Sequence, residues 1–280
     1  MFGSELQQRI AELTGPIQKY APLSGGDIHL TLKLETPSGP WVVKVANDPL
    51  KVESLIAEYK GLVHLTQSET FAIPELLGLI QTSAETALVM RFVAQRTPDL
   101  NFWENFAEKL ISLHSKSQPQ FGLDHDNFIG ALPQHNQLQN SALDFYINDR
   151  LEPQFNMAAA SNYTLKREAF YKRLEELIPK QRPALIHGDL WNGNYLSGAS
   201  GPVLIDPAIS YGIAMMDLAM MDLFGGFDET VFTLYGSALD LDPNWRSSLD
   251  IYQLYYLLVH LNLFGSSYLA SVNRTLNKYS

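Results

Sequence analysis

The hydrophobic pattern predicts a chain that begins with strands and continues mainly with helices. Residues 27–35 alternate apolar and polar side chains, which is typical of a half-buried strand. The turn-forming stretch 36–40 (TPSGP) leads into the apolar run 41–46 (WVVKVA), so the two runs are predicted to pair as a hairpin. Two further strands are predicted, at 73–80 and 86–93.

Helical spacing of apolar residues follows this hairpin and then dominates the rest of the chain. One helix is predicted at 49–67, within the strand-rich part. Later helices are predicted at 102–114, 142–148, 165–177 and 247–267. The order predicts an α+β fold with two unlike parts.

The boundary between these parts is predicted near the end of the last early strand. We expect a β-rich lobe at residues 1–92, with a small antiparallel sheet and one main helix, and a larger, mostly helical lobe at 93–280. The polar stretch 115–139 is predicted to be mostly loop.

Composition limits the function classes. The net charge of −10 argues against non-specific binding of nucleic acid, which favours a basic surface. Cysteine is absent, so the chain has no disulfide, thiol nucleophile or cysteine metal site. The first residues lack the apolar core of a secretory signal, and the longest apolar run is shorter than the ~20 residues needed to span a membrane. We therefore expect a cytoplasmic protein without a membrane partner; its oligomeric state stays open.

The run HGDLWNGN at 187–194 carries the strongest chemical pattern. It presents Asp189 and, five residues later, Asn194; a second apolar segment then delivers Asp206. This spacing matches the kinase pattern H-x-D-x-x-x-x-N followed by an acidic metal ligand. In that chemistry one carboxylate accepts the proton of the substrate hydroxyl, and the amide and second carboxylate hold Mg²⁺ against ATP phosphates. The alternative, two turns that close strands, explains each fragment alone but not their joint spacing.

Lys44 lies inside the apolar strand 41–46, where it either extends outward to solvent or points into a cleft with a partner. Fourteen residues later the predicted helix carries Glu58, with Glu53 nearer its start. Kinases use a strand lysine and a helix glutamate to grip the α- and β-phosphates. Glu58 is the better predicted partner because it lies amid the apolar face of the helix.

Two other segments are candidates for binding nucleotide, and one side chain for binding the acceptor. Gly25 and Gly26 precede the first hairpin strand, where backbone N–H groups can approach phosphates; an ordinary turn is the alternative. Residues Arg91, Phe92 and Val93 end the last early strand, where backbone groups can bind adenine. Trp191 is a candidate for lining the substrate site, with packing in a core as the alternative.

Three segments make the chain resemble a known family: HGDLWNGN (187–194), IDPAISYG (205–212) and DLAMMDLFGGF (217–227). The family is that of the fructosamine kinases, or ketosamine-3-kinases, within the aminoglycoside-phosphotransferase-like branch of the protein-kinase-like superfamily. Weaker similarities lie at VVKVA around Lys44, FGLDHDNFIGALPQHN (121–136), RLEPQ (150–154) and HLNLFGSSY (260–268).

The resemblance implies an ATP- and Mg²⁺-dependent kinase that phosphorylates a sugar hydroxyl of a ketosamine, such as a fructosamine or ribulosamine on a small amine or a protein lysine. In that family the phosphorylated adduct breaks down and frees the amine, so the implied role is deglycation repair. The family usually carries acidic residues where this chain has Ile213 to Met216. Two alternatives therefore stay open: a kinase of the same fold that acts on choline, an amino sugar or an aminoglycoside, and a pseudokinase.

Overall fold

The computed structural model describes residues 2–23 and 28–279. The chain forms two compact units, one of residues 1–99 with 193–207 and the other of residues 100–192 with 208–280. The division predicted at residue 92 differs from this grouping at one segment in particular. Residues 193–207, expected in the helical part, group with the β-rich unit because the Leu204 amide donates to the Ala72 carbonyl at 3.0 Å and the Arg96 amide to that of Ser197 at 2.8 Å.

The described part of the first unit contains both helices and strands. Its elements are α1 (Ser4–Thr14), β1 (Lys19–Pro22), β2 (Leu30–Thr36), β3 (Gly39–Ala46), α2 (Pro49–Ser68), β4 (Leu76–Gln81), β5 (Thr86–Arg91), β9 (Tyr195–Gly198) and β10 (Gly201–Leu204).

The second unit contains more helix than strand. Its elements are α3 (Phe102–Ser115), β6 (Asn127–Ile129), β7 (Leu132–Gln134), α4 (Ala142–Asp144), a π-helix (Phe145–Leu151), α5 (Glu152–Ala160), α6 (Glu168–Leu177), β8 (Ala184–Ile186), β11 (Ser210–Gly212), α7 (Met215–Phe224), α8 (Glu229–Ala238), α9 (Leu249–Phe264) and α10 (Leu269–Lys278), with short 3₁₀ turns at Trp245–Ser248 and Ser266–Tyr268.

Five described strands of the first unit form an antiparallel sheet in the order β1-β2-β3-β5-β4. The predicted hairpin is present as β2 and β3, with Leu30 paired to Val45 and Thr36 to Gly39. Alternate residues of β3, such as Trp41 and Val43, are buried on one face of the sheet. The sheet therefore holds Lys44 on the opposite face, the face on which α2 packs.

Helix α1 was not predicted, although its sequence carries the signal. Leu6 and Ile10, four residues apart, are fully buried against the sheet residues Leu34, Val43 and Val89. Charged and polar residues occupy most of the other positions and Leu13 is exposed, so the apolar stripe is weak in a helix of three turns. The sheet thus has a helix on each face, α1 on one and α2 on the other.

One prediction for the helical unit needs correction. The helix predicted at 142–148 continues to Ala160, with a π-helical segment in its middle. Pro153 follows that segment and has no N–H to give to the carbonyl four residues earlier, which is one reason that regular α-helical bonding is interrupted. The stretch 115–139 is mostly loop, as predicted, and also contains the short β6–β7 hairpin, in which Asn127 pairs with Gln134. Among the helices in the described ranges, none has the length and apolar character to cross a membrane.

The packing of α1 gives a test of the fold. We expect Ile10→Ala to lower the free energy of unfolding by about 2–5 kcal/mol, because a fully buried side chain is lost and leaves a cavity. Leu13→Ala, in the same helix but 58% exposed, should cost about 0.5 kcal/mol or less. Urea denaturation of both variants measures the difference; equal losses would contradict the packing of α1 on the sheet.

Candidate active site

Three charged side chains meet in the first unit. Lys44 of β3 donates to Glu58 Oε1 of α2 at 2.7 Å and also to Asp206 Oδ1, which follows β10. The Lys44 and Glu58 side chains are only 10% and 11% exposed, whereas Asp206 is 33% exposed. Glu53, the other candidate partner, is exposed. The structure therefore brings together two predicted site residues that are 14 positions apart and a third that is 162 positions away.

Burial and the short distances change the acidity of this cluster. Burial raises the pKa of Glu58 from its usual 4.5 to about 7, with Lys44 opposing the rise and the Asp206 carboxylate adding to it. Burial alone would lower the pKa of Lys44, but the two carboxylates outweigh that effect and hold the pKa above its usual 10.5. Lys44 thus stays cationic, while the charge of Glu58 responds to pH near neutrality.

The β9–β10 hairpin spans the interval between Asn194 and Asp206. The Ile205 amide donates to the Asn194 carbonyl at 3.0 Å, and the Asn194 side-chain amide lies 3.4 Å from the Asp206 carbonyl. Asp206 has φ +55°, a left-handed conformation that a non-glycine residue adopts only when its surroundings hold it there. The hairpin thereby brings two residues 12 positions apart to the same end of a strand pair.

The donor set of Asn194 and Asp206 fits Mg²⁺. One amide and one carboxylate supply hard oxygen ligands, and Mg²⁺ usually takes only one or two protein ligands beside water and substrate phosphates. Within the described ranges, no group of three or more His, Asp or Glu side chains is arranged to hold a metal. A site shared with water and phosphate oxygens is compatible with these two side chains.

The predicted adenine segment follows the end of β5. The Arg91 amide donates to the Glu75 carbonyl at 2.7 Å, and the Phe92 amide donates to the Pro40 carbonyl at 3.2 Å. Both N–H groups are therefore already hydrogen-bonded to neighbouring backbone. Backbone binding of adenine would then fall to Val93 and to carbonyl groups. Gly25 and Gly26, the predicted phosphate-binding pair, lie outside the described residues.

Asp189 lies in the second unit, in the loop that follows strand β8. The preceding Gly188 has φ +82°, and a Cβ there would lie 2.1 Å from the Ala208 carbonyl oxygen. Only glycine fits both the backbone angle and this close approach. The Ala208 amide in turn donates to the His187 carbonyl at 2.9 Å, and the Asp189 amide to His187 Nδ1 at 3.3 Å. Short-range backbone contacts thus fix the loop.

A buried carboxylate that sequence reasoning missed anchors the same loop. Asp217, at the start of α7, accepts from the amides of His187 and Gly188, each at 2.8 Å. It is fully buried and also contacts His114 Nε2 at 3.2 Å, while His114 Nδ1 lies 2.8 Å from the Tyr235 hydroxyl. His114 is therefore a core histidine, and both of its ring nitrogens have partners.

The side chain of Trp191 is 40% exposed, which does not fit packing in a core. His260 Nδ1 lies 2.8 Å from the Tyr256 carbonyl and donates to it in the tautomer that carries the proton on Nδ1, because a carbonyl oxygen only accepts. Its ring packs on Phe224 at 4.7 Å between centroids. Trp191 is thus accessible to a ligand, and His260 is held by its own helix.

Comparison with known proteins identifies the family. The family model for fructosamine kinase matches residues 3–280. This chain belongs to the fructosamine kinase family. Family membership makes the protein a kinase that uses ATP and phosphorylates a sugar hydroxyl of a ketosamine. The resemblance first drawn from the HGDLWNGN, IDPAISYG and FGGF segments is confirmed.

Relatives within the family match along nearly their whole length. The chain is similar to a protein of Enterococcus faecium named probable ketoamine kinase, at 36% identity over 269 residues, 93% of this chain and 95% of that one. It is also similar to a probable ketoamine kinase of Lactiplantibacillus plantarum, at 35% identity over 273 residues, 94% of this chain and 95% of that one.

Solved structures confirm the fold class. A crystal structure from Thermobifida fusca assigned to the fructosamine-3-kinases has a TM-score of 0.87 and 30% identity, and the match covers 99% of this chain and 98% of that one. An aminoglycoside phosphotransferase in ternary complex with ADP and hygromycin B has a TM-score of 0.64 at 15% identity, with 99% and 98% covered. The second likeness shows that this family member has the kinase fold of the aminoglycoside phosphotransferases.

The Lys44 cluster predicts how the stability loss of a Lys44 variant should change with pH. In Lys44→Met, Glu58 loses the cation that opposes its pKa rise, so its folded-state pKa should rise further. A carboxyl whose pKa is higher in the folded state stabilises the fold fully when the pH is below its pKa in the unfolded state, here about 4.5. This stabilisation is lost as the pH rises through the pKa of the folded state. We expect a loss of about 3–5 kcal/mol at pH 8 and a clearly smaller loss at pH 5.

Urea denaturation at the two pH values measures this difference. Lys60→Met is the matched control, because Lys60 lies exposed on the same helix as Glu58 and should change stability little at either pH. A Lys44→Met loss that is the same at pH 5 and pH 8 would contradict the assigned charge coupling.

Proposed function

We propose that this family member transfers the γ-phosphate of Mg²⁺-bound ATP to a hydroxyl of a fructosamine or ribulosamine, with Asp189 as general base. The family match across residues 3–280 is the observation that carries the choice of acceptor class. The phosphorylated ketosamine then breaks down and releases the amine, so the proposed role is repair of glycated small amines or protein lysines.

Asp189 is the proposed base because of where the fold holds it. The carboxylate of a general base must be positioned within hydrogen-bond reach of the hydroxyl before its acidity matters. The loop that carries Asp189 is fixed by the Asp217 carboxylate and by the close approach of Gly188 to Ala208. A carboxylate on such a restrained loop can accept the hydroxyl proton while the oxygen attacks the phosphorus atom.

Lys44, Glu58, Asn194 and Asp206 are the proposed phosphate side of the site. Lys44 would contact α- and β-phosphate oxygens, and Glu58 would orient it from α2, since its carboxylate lies 2.7 Å from Nζ. Asn194 and Asp206 would hold Mg²⁺, which neutralises charge on the transferred phosphate when bound. Val93 and the Arg91–Phe92 carbonyls would bind adenine, with Gly25 and Gly26 near the phosphates.

Trp191 is the proposed contact for the acceptor. It lies two residues after Asp189 and exposes 40% of its surface, which suits stacking on a sugar ring or on the amine portion of a ketosamine. The aminoglycoside phosphotransferases share the fold at 15% identity, which supports no inference about acceptor.

The acceptor class is tested directly with ATP, Mg²⁺ and a panel of fructosamines, ribulosamines, choline and aminoglycosides. We expect phosphorylated product, read by mass spectrometry, from the ketosamines alone. Product from choline or an aminoglycoside without product from any ketosamine would overturn the proposed acceptor.

The base is tested by Asp189→Asn, which keeps the size of the side chain but cannot accept the proton. We expect kcat to fall on the order of 10²–10⁴-fold, while calorimetric ATP affinity and thermal stability stay near those of the wild type. Asp228→Asn is the control: this exposed residue caps α8, where Asn serves as well as Asp, so kcat should not change. Near-wild-type turnover of Asp189→Asn would reject the assignment.

A further inference from the structure

A short buried segment, Ala208–Ser210, follows Asp206 and Pro207 in the chain and begins the second unit. Ala208, Ile209 and Ser210 are each at most 2% exposed. The Ala208 amide binds the His187 carbonyl, and its carbonyl oxygen occupies the space that a side chain on Gly188 would need. The position of this segment therefore affects the loop that carries Asp189, which Ala208 contacts directly.

Buried amide side chains hold this segment from the β6–β7 hairpin. Gln134 Nε2 donates to the Ala208 carbonyl at 3.1 Å, and Asn127 Nδ2 donates to the Ile209 carbonyl at 2.8 Å. Gln134 Nε2 also donates to Asn127 Oδ1 at 2.8 Å, and Tyr255 of α9 donates its hydroxyl to Gln134 Oε1 at 2.6 Å. The two amides are 3% and 4% exposed, so their bonds to the segment are shielded from water.

Arg150, in the π-helix, completes the contacts. Its Nη2 donates to Ser210 Oγ at 3.0 Å and to Asn136 Oδ1 at 2.8 Å, and Asn136 Nδ2 donates to Asn127 Oδ1 at 3.0 Å. Its Nη1 donates to the Asp149 carbonyl at 3.1 Å. In a regular α-helix this carbonyl would accept from residue 153, but Pro153 has no N–H to donate. The guanidinium is 1% exposed and lies 4.3 Å from the Phe145 ring centroid.

We propose that Gln134, Asn127 and Arg150 are positioning residues for phosphoryl transfer. Together with Asn136 they form a brace, named here the amide brace, that fixes Ala208–Ser210. The brace fixes the loop that carries Asp189, because Ala208 contacts His187 and Gly188 in that loop. This inference rests on the role proposed above for Asp189.

A brace of this kind fits the needs of phosphoryl transfer better than it fits the needs of a core. Burying amide and guanidinium groups carries a desolvation cost that apolar side chains of the same volume avoid. What the polar groups add is direction, since each hydrogen bond fixes the angle as well as the distance of a backbone carbonyl. Phosphoryl transfer depends on positioning, and a displacement of about 1 Å can cost on the order of 10²-fold in rate.

The test is Gln134→Met, which keeps side-chain volume but removes both donations and the acceptor. We expect kcat with ATP and a fructosamine to fall on the order of tenfold to hundredfold, with the KM of each substrate within about threefold of wild type. Gln154→Met is the matched control: Gln154 is also a buried glutamine of this unit, but its amide oxygen accepts from Asn262 at 2.8 Å. This variant should lose comparable thermal stability and keep its kcat.

Each outcome decides the proposal. A kcat loss confined to Gln134→Met supports it, whereas unchanged kcat, or equal kcat losses in both variants, would overturn it. If Gln134→Met does not fold, Ser210→Ala and Asn127→Asp replace it in the test. Ser210→Ala removes the acceptor of the Arg150 hydrogen bond, and Asn127→Asp removes the donor to the Ile209 carbonyl, each with little change in volume. Unchanged kcat in both would then reject the brace. Failure of the Asp189 assignment is separate, because it shows in Asp189→Asn whatever the brace variants do.

Discussion

Burying a charged or hydrogen-bonding group without a partner costs several kcal/mol, and this constraint decides where the functional side chains of this kinase lie. Lys44 is buried on the sheet only because Glu58 and Asp206 both meet it. Asp217 is fully buried only because two backbone amides and His114 satisfy it. In each case the partner belongs to a distant part of the sequence, so the need to satisfy a buried group also fixes the path of the chain.

The sequence predicts the parts of the site that short spacing controls. The interval from Asp189 to Asn194 and the apolar segment that leads to Asp206 are local, and the structure contains strand β10 (Gly201–Leu204) just before Asp206. The choice of Glu58 over Glu53 could also be made from sequence, because the apolar face of α2 determines which carboxylate turns toward the sheet. Periodicity carries this information without knowledge of tertiary contacts.

Other features depend on contacts that no local pattern encodes. Residues 193–207 join the β-rich unit through hydrogen bonds between Leu204 and Ala72, which are 132 positions apart, and between Ser197 and Arg96, which are 101 positions apart. Asp217 reads in the sequence as an ordinary acidic residue at a helix start, and only the tertiary structure shows that it accepts from the Gly188 amide. Helix α1 differs, because the sequence does show Leu6 and Ile10 at helical spacing. The polar residues around them make this apolar pattern too weak to predict the helix.

The amide brace joins three segments that carry the family resemblance outside the HGDLWNGN run. The segments 121–136, 150–154 and 205–212 are far apart in the chain, yet their polar side chains bind one another and the backbone between Ala208 and Ser210. A nucleotide site alone would not require an asparagine at 127 or an arginine at 150. A buried segment that is held against the Asp189 loop would require donors at those places, because directional bonds fix the position of carbonyl groups. These segments of the family resemblance thus carry the polar side chains that form the brace.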